Sequence, residues 1–373
     1  MSVSREFVCR VLTLGLAVVG TSSAVRSEDK PQYELGDIRI VAAKADEPIR
    51  PSLALDKAVA HLDQGAQAWS GGRKCISCHT NGTYMQIRPA LTPHFGPPAA
   101  EQREFYVSQL KSLQGLERKQ LRQSTRPAQV IYLAAGLAEW DAHVTRQLSA
   151  ETGEALALMC DIQLDSGTWG TLDCWPPFES DAYHEATVAA MAIGTAPGWL
   201  AGLQDEKQKA AVTKLQQYLR STPPLHDYSR VLLLWASTRM PDLLTREQQQ
   251  ELVEVLWKHQ RSDGGWSIRT FAAPEAWGGG GRAAKLRGEP EFANPPSDGH
   301  QTGLAILVLR AAGVPAAEPR LQRGVAWIKA NQRESGRWWT RSLNTDSWHF
   351  ITYSGTAYPL LALAACGEIP ARQ

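Results

Sequence analysis

From residue 52 onward the chain alternates between two kinds of helical pattern. One kind carries charged and Gln residues along one face and apolar residues at i, i+3, i+4 and i+7, as expected of a helix with one solvated side. These segments begin near Ser52, Ala100, Val144, Asp205, Thr245 and Arg320. The other kind is apolar nearly all round and rich in Ala and Leu, over 84–91, 126–140, 181–193, 227–240, 298–312 and 354–366. A helix apolar on every side must be buried on every side. Glycine and proline stops close several of them, such as Gly194-Thr195-Ala196-Pro197 and Gly313-Val314-Pro315. Six outer and inner pairs therefore predict an all-α protein of helical hairpins in two concentric layers. Residues 25–51 lack sustained periodicity and carry Pro31, Pro48 and Pro51, which predicts a linker or arm.

Three outer segments end in one signature, Q-x-x-x-G-x-W: Gln163, Gly167 and Trp169; Gln260, Gly264 and Trp266; Gln332, Gly336 and Trp338. The Gly permits a left-handed turn that stops the helix, and the Gln amide can satisfy backbone groups exposed there. The Trp covers that polar turn with a large apolar face and keeps an N–H to donate. Thirteen Trp in one chain fit such a repeated device, which would tie each hairpin to its neighbour.

The run Arg323-Gly324-Val325-Ala326-Trp327-Ile328, followed by Gln332, Gly336 and Trp338, resembles the QW motif of squalene and hopene cyclases. With Ser297-Asp298-Gly299-His300-Gln301-Thr302-Gly303 and the helix after it, the chain resembles squalene cyclase-like bacterial repeat proteins of the terpenoid cyclase and prenyltransferase class. The resemblance runs from about Ser52 to the C-terminus and is strongest after Gly153. It implies a six-hairpin α/α toroid with a central apolar cavity. The chain departs from the family in lacking a D-x-D-D acid cluster and in having length for one toroid rather than two α domains. Polyprene cyclisation needs a strong, partly buried acid and aromatic faces for the cations that follow. Asp173-Cys174 is adjacent and does not reproduce the D-x-C spacing of the zinc-binding prenyltransferases.

Lys and Arg (39) balance Asp and Glu (38), so no net field favours nucleic acid or anionic lipid. Arg5 and Arg10, a short apolar stretch over 11–20 and the small residues Ser22-Ser23-Ala24 read as an export signal covering 1–24. A retained N-terminal anchor is the other reading. No later stretch reaches about 18 uninterrupted apolar residues, so no membrane span is expected in the mature chain. The organisation expected is a signal at 1–24, an arm at 25–51 and a toroid at 52–373, exported and periplasmic.

Cys75-Ile76-Ser77-Cys78-His79 is the c-type haem attachment pattern: two thiolates bond the haem vinyl groups and the adjacent His supplies an axial nitrogen. A disulfide beside an incidental His and half of a zinc site are the competing readings. Met85 or His94 could furnish the distal ligand, or the sixth position could take a small molecule. Arg73, Lys74 and Arg88 stand near enough in sequence to offset propionate charge. Cys160 and Cys174 flank one short turn and could close a loop, while Cys366 sits in apolar surroundings that suit a buried thiol.

A second cluster recurs at the starts of inner helices: Asp181, Tyr183 and His184; His226, Asp227, Tyr228 and Arg230; Asp298 and His300. In a closed toroid these groups would converge at one rim, where Asp181, His184, Asp298 and His300 are candidates for chemistry. Asp before a helix is also an N-cap. The connection 267–296, with Trp277, four glycines over 278–281 and the basic Arg282, Lys285 and Arg287, is expected as a rim over that mouth. Three functions follow: a haem c module with an electron-transfer partner or an apolar, isoprenoid-like ligand, an enzyme working in the cavity, and a noncatalytic scaffold.

Overall fold

The computed structural model describes residues 30–277 and 282–372. The export signal read at 1–24 and the glycine run at 278–281 lie outside the described residues. Among the described residues the fold is all-α apart from one two-stranded hairpin. Its principal helices are α1 (Leu55–Arg73), α2 (Asn81–Ile87), α3 (Ala100–Gln114), α4 (Arg126–Trp140), α5 (Ala150–Ile162) and α6 (Ala182–Thr195). They continue with α7 (Glu206–Ser221), α8 (Asp227–Ser237), α9 (Arg246–Lys258), α10 (Gly299–Ala311), α11 (Pro319–Ala330) and α12 (Ile351–Ala365).

Even-numbered helices form the inner ring. Each packs on the next, α2 on α4, α4 on α6, α6 on α8, α8 on α10 and α10 on α12, and α12 returns to α2. Odd-numbered helices lie outside, polar toward solvent, with buried stripes such as Ala211, Val212, Leu215 and Leu219 of α7. This is the α/α toroid of six hairpins that the two helical patterns predict. The inner helices are buried nearly throughout, which is why their sequences carry no polar face. The tightest inner contact is α10 against α12, where a Cβ at Gly303 would meet the Pro359 nitrogen at 2.4 Å. Only glycine admits that approach.

The Q-x-x-x-G-x-W turns hold the outer layer together. In each, the Gln Nε2 donates to the carbonyl of its own Gly and to a carbonyl of the next outer helix or its cap: Gln163 to Gly167 (3.1 Å) and Ala211 (3.0 Å). Gln260 reaches Gly264 (2.8 Å) and Arg320 (2.7 Å), and Gln332 reaches Gly336 (2.8 Å) and Ala54 (3.1 Å). The three glycines have φ near +90°, and each abuts backbone or Cβ atoms of the following outer helix. The Trp indoles are buried and donate back to Met159, Leu256 and Ile328 carbonyls at 2.7–2.8 Å.

Three expectations change. Within the stretch read as a linker or arm, the described residues form a packed arm: Pro31–Leu35 pairs antiparallel with Ile38–Val41 around Gly36-Asp37, and Tyr33 is buried against α1 and α12. The period-two signal spans too few residues to stand out from one strand pair. The third outer helix begins at Ala150, not near Val144, because α4 runs on through a π turn at Asp141–Thr145 and Ser149 supplies the cap. The interior is not a plain apolar cavity, since polar inner-helix starts fill its mouth. Recesses of about 420 and 520 Å³ open instead on the outside, between α5 and α7 and beside residues 42–46.

Candidate functional site

The C-x-x-C-H segment lies between α1 and α2, on the rim where the inner helices begin. Lys74 adopts a left-handed conformation and ends α1 with its N–H on Trp69 O (3.2 Å). The turn that follows is pinned: Asn81 Nδ2 donates to Cys75 O (2.8 Å) and Ser70 Oγ (2.9 Å), and Tyr106 OH bridges Ile76 O (2.8 Å) and Asn81 O (2.9 Å). Cys75 and Cys78 are half-buried free thiols. The Cys78 thiol bonds the Cys75 sulfur and pulls it below the usual thiol range, while burial pushes Cys78 up.

His79 is held on several sides. Its ring stacks on Phe350 at 4.0 Å with an 18° interplanar angle and meets the edge of Trp69 at 4.9 Å. Its Nδ1 bonds Thr80 Oγ1 (3.0 Å), and Thr80 Oγ1 bonds Tyr33 OH (3.0 Å). Burial pulls the imidazole down to about 3, so it is neutral at ordinary pH. Its Nε2 makes no hydrogen bond among the described residues.

This donor set fits a c-type haem. Two reduced thiols stand in the attachment spacing, and a neutral imidazole presents one nitrogen while the other is engaged, as iron ligation requires. Among the described residues no three His, Cys, Asp or Glu side chains form a metal-binding group. The two distal candidates stand in different surroundings. Met85 is fully buried, with its Cβ where Gly136 comes closest to α2, and His94 bonds Pro370 O (3.2 Å) at the far end of the first inner hairpin. Arg73 and Lys74 are exposed beside the motif, but Arg88 is buried and paired with Asp63 (3.0 Å), so its charge is already spent.

Cys160 and Cys174 are free, not bridged. Cys160 lines the groove between α5 and α7 with Arg122 and Lys214, whereas Cys174 lies in the rim loop near Glu179. Sequence proximity across a turn did not turn the two Cβ atoms toward one another. Cys366 is half-buried, and burial pushes its thiol up to about 11.

At the mouth, the predicted groups do converge. Asp181 Oδ1 caps α6 through the His184 amide (2.8 Å), and its Oδ2 receives the Ser229 hydroxyl (3.3 Å) and faces His226 Nε2 (3.5 Å). Asp298 caps α10 through the Gln301 amide (2.8 Å) and receives the Ile268 amide (2.7 Å). Burial pushes Asp298 up to about 6. Both carboxylates are thus engaged as caps and loop anchors.

The histidines belong to one network. Ser354 Oγ donates to Ile351 O (2.8 Å), so His300 Nδ1–H donates to Ser354 Oγ (2.7 Å), and His300 Nε2 accepts from Tyr228 OH (3.2 Å). Burial holds His184 down to about 4 and His300 to about 3, leaving both neutral. Trp277, from the connection 267–296, inserts over this cluster at 4.9 Å from His226 and 5.6 Å from Tyr228. The basic residues of that connection are partnered: Lys285 with Asp346 (2.8 Å), Arg287 with Glu275 and Arg282 over the Trp175 ring (5.3 Å).

Sequence reading passed over the groups that lie deeper. Glu179 and Glu185 are both buried; burial pushes Glu179 up to about 8 and Glu185 well above the carboxylate range, each raised further by nearby acids. Glu185 Oε2, Tyr132 OH and both amide atoms of Gln301 are buried without a hydrogen-bond partner among the described residues. The available signal was an acid within the apolar A-Y-H-E-A-T-V start of α6, where a solvated Glu has no place.

Residues 228–368 match the family model of the squalene-hopene cyclase C-terminal domain. The match spans α8 to α12, includes the second and third Q-x-x-x-G-x-W turns, and agrees with the toroid. It leaves out the C-x-x-C-H rim, Glu179 and Glu185. Nothing among the curated proteins matches the chain. Among the described residues no helix is long and apolar enough to cross a membrane.

Proposed function

We propose that this chain is an exported squalene cyclase-like toroid that carries covalent haem c at Cys75 and Cys78, with His79 as axial ligand, and serves as a redox or small-ligand module. The observation that carries the reading is the state of His79: half-buried, neutral, fixed at Nδ1 and unbonded at Nε2, next in sequence to two free thiols. Bound haem would supply one-electron transfer or ligation of a small molecule at iron. The chain's residues orient the imidazole, keep it unprotonated and shield its faces with Phe350 and Trp69. Squalene cyclisation is disfavoured because D-x-D-D is absent and Asp181 and Asp298 are engaged as caps.

The test is expression of the full chain in a host with c-type maturation, followed by a pyridine haemochrome spectrum. Covalent haem in the wild type and its loss in Cys78→Ala, with helical content retained, are the expected results. A wild-type protein free of covalent haem overturns the reading.

A second reading has its own support. The unpartnered Glu185 Oε2, Tyr132 OH and Gln301 amide atoms suit a guest held among the inner helices, either a substrate or an apolar molecule with a polar end. Crystallographic density for a bound molecule touching these atoms would support it. Density for water alone would leave the mouth as a structural core.

A further inference from the structure

Thr80 stands at the N-cap of α2, where a threonine hydroxyl ordinarily accepts from an amide one turn on. Here it makes no cap hydrogen bond. Its hydroxyl is turned instead to His79 Nδ1 (3.0 Å) and to Tyr33 OH (3.0 Å), and the Thr80 and Tyr33 side chains are buried. The Gly82 amide is taken by Cys78 O (3.0 Å), which leaves the Thr80 hydroxyl available to His79. Tyr33 reaches this point from the N-terminal hairpin, which packs its ring edge-on against Trp69 at 5.9 Å and Phe350 at 6.0 Å. The same two rings bracket His79.

We infer that Thr80 and Tyr33 are positioning residues for His79, forming a hydroxyl relay that sets the basicity of its free nitrogen. The inference rests on the haem reading of His79. If Nε2 holds its lone pair for iron, Nδ1 carries the proton and donates it to Thr80 Oγ1. The Thr80 hydroxyl proton then has Tyr33 OH as its acceptor. Each bond in such a chain polarises the next, so the imidazole becomes a stronger donor to a metal than a ring bonded to nothing. Phe350 adds a second constraint: stacked face to face on His79, it opposes rotation of the ring. The N-terminal arm and the last inner helix, distant in sequence, therefore control one imidazole. The arm has a role in the haem site beyond sealing the toroid.

The test uses the haem-loaded full chain and three variants, Thr80→Val, Thr80→Ser and Tyr33→Phe. The readouts are the iron–histidine stretching band of the reduced protein by resonance Raman spectroscopy and the reduction potential by redox titration. Thr80→Val keeps the shape of the side chain and removes the acceptor; its band is expected to fall in frequency and its potential to rise. Tyr33→Phe is expected to shift both in the same direction by less, and Thr80→Ser to restore wild-type values. Covalent haem with band and potential unchanged in both Thr80→Val and Tyr33→Phe overturns the relay while leaving the haem reading intact. Absence of covalent haem from the wild type overturns the haem reading and the relay with it. Should Thr80→Val fail to fold, Tyr33→Phe against wild type decides the matter by the same two readouts.

Discussion

Gln332 and Ala54 exchange two hydrogen bonds across the seam where the ring closes: Ala54 N–H donates to Gln332 Oε1 (2.7 Å), and Gln332 Nε2–H donates to Ala54 O (3.1 Å). The sixth hairpin is thereby joined to the first by the same turn that joins neighbours elsewhere. The last inner helix also meets the first outer helix through Tyr353 OH, which donates to Leu62 O (2.6 Å).

Because Gln332 serves both backbone groups at this seam, Gln332→Ala is expected to leave buried donors and acceptors unpaired and to cost about 2–4 kcal/mol. Urea unfolding followed by far-ultraviolet circular dichroism measures it. Gln163→Ala, which removes two bonds within the ring rather than at its closure, should cost no more. An unchanged midpoint for Gln332→Ala would show that the seam does not depend on this amide.

Trp338 is fully buried and donates to Ile328 O (2.7 Å). Trp338→Ala is expected to lower stability by about 3–5 kcal/mol, through lost packing and the cavity left behind. Gly336→Ala reaches the same turn by another route: φ is +88° and the new Cβ would lie 2.5 Å from the Lys57 Cβ. Its expected cost is about 1–3 kcal/mol from the strained conformation, and more from the clash. Differential scanning calorimetry of both variants checks the ranking.

Thiol chemistry separates haem attachment from an empty dithiol. In protein made without c-type maturation, Cys75 is expected to alkylate before Cys160, Cys174 and Cys366, since its thiol is lowered while burial raises the other three. In matured protein, Cys75 and Cys78 should stay unlabelled even after denaturation, and peptide mass spectrometry reads both outcomes. Slow labelling of Cys75 in the unmatured protein would contradict the contact between its sulfur and Cys78.

The buried mouth makes stability depend on pH in a signed way. Glu179, raised from 4.5 to about 8, binds its proton more tightly folded than unfolded. Its contribution is whole below about 4.5 and is lost as pH rises through about 8. His184 and His300, lowered from 6.5 to about 4 and about 3, contribute fully above 6.5 and lose that contribution as pH falls through their folded values. Between 4.5 and 6.5 the two imidazoles outweigh Glu179, so from these groups the thermal midpoint should rise toward about 6.5 and decline on the alkaline side. Glu179→Gln should flatten the alkaline decline, and a midpoint profile identical to wild type from pH 6 to 9 would remove Glu179 from the account.

The sequence by itself determined the layers. Burial on one face or all faces is written into helical periodicity, so 126–140 is α4 to the residue and the other inner segments are met within a few positions. The Q-x-x-x-G-x-W turns were equally legible, because a left-handed Gly, a helix-ending Gln and a covering Trp act within seven residues. The C-x-x-C-H motif was legible as chemistry, and Asp181 and Asp298 as caps, for the same reason of short range. Only the tertiary structure decided what stands around them. Tyr33 meets Thr80 from 47 positions away, Phe350 stacks on His79 across the closed ring, and Glu179, Glu185 and Tyr132 share one buried mouth. Such meetings arise from the closure of six hairpins into a ring, and no local pattern of polar and apolar residues encodes which inner-helix starts will face one another.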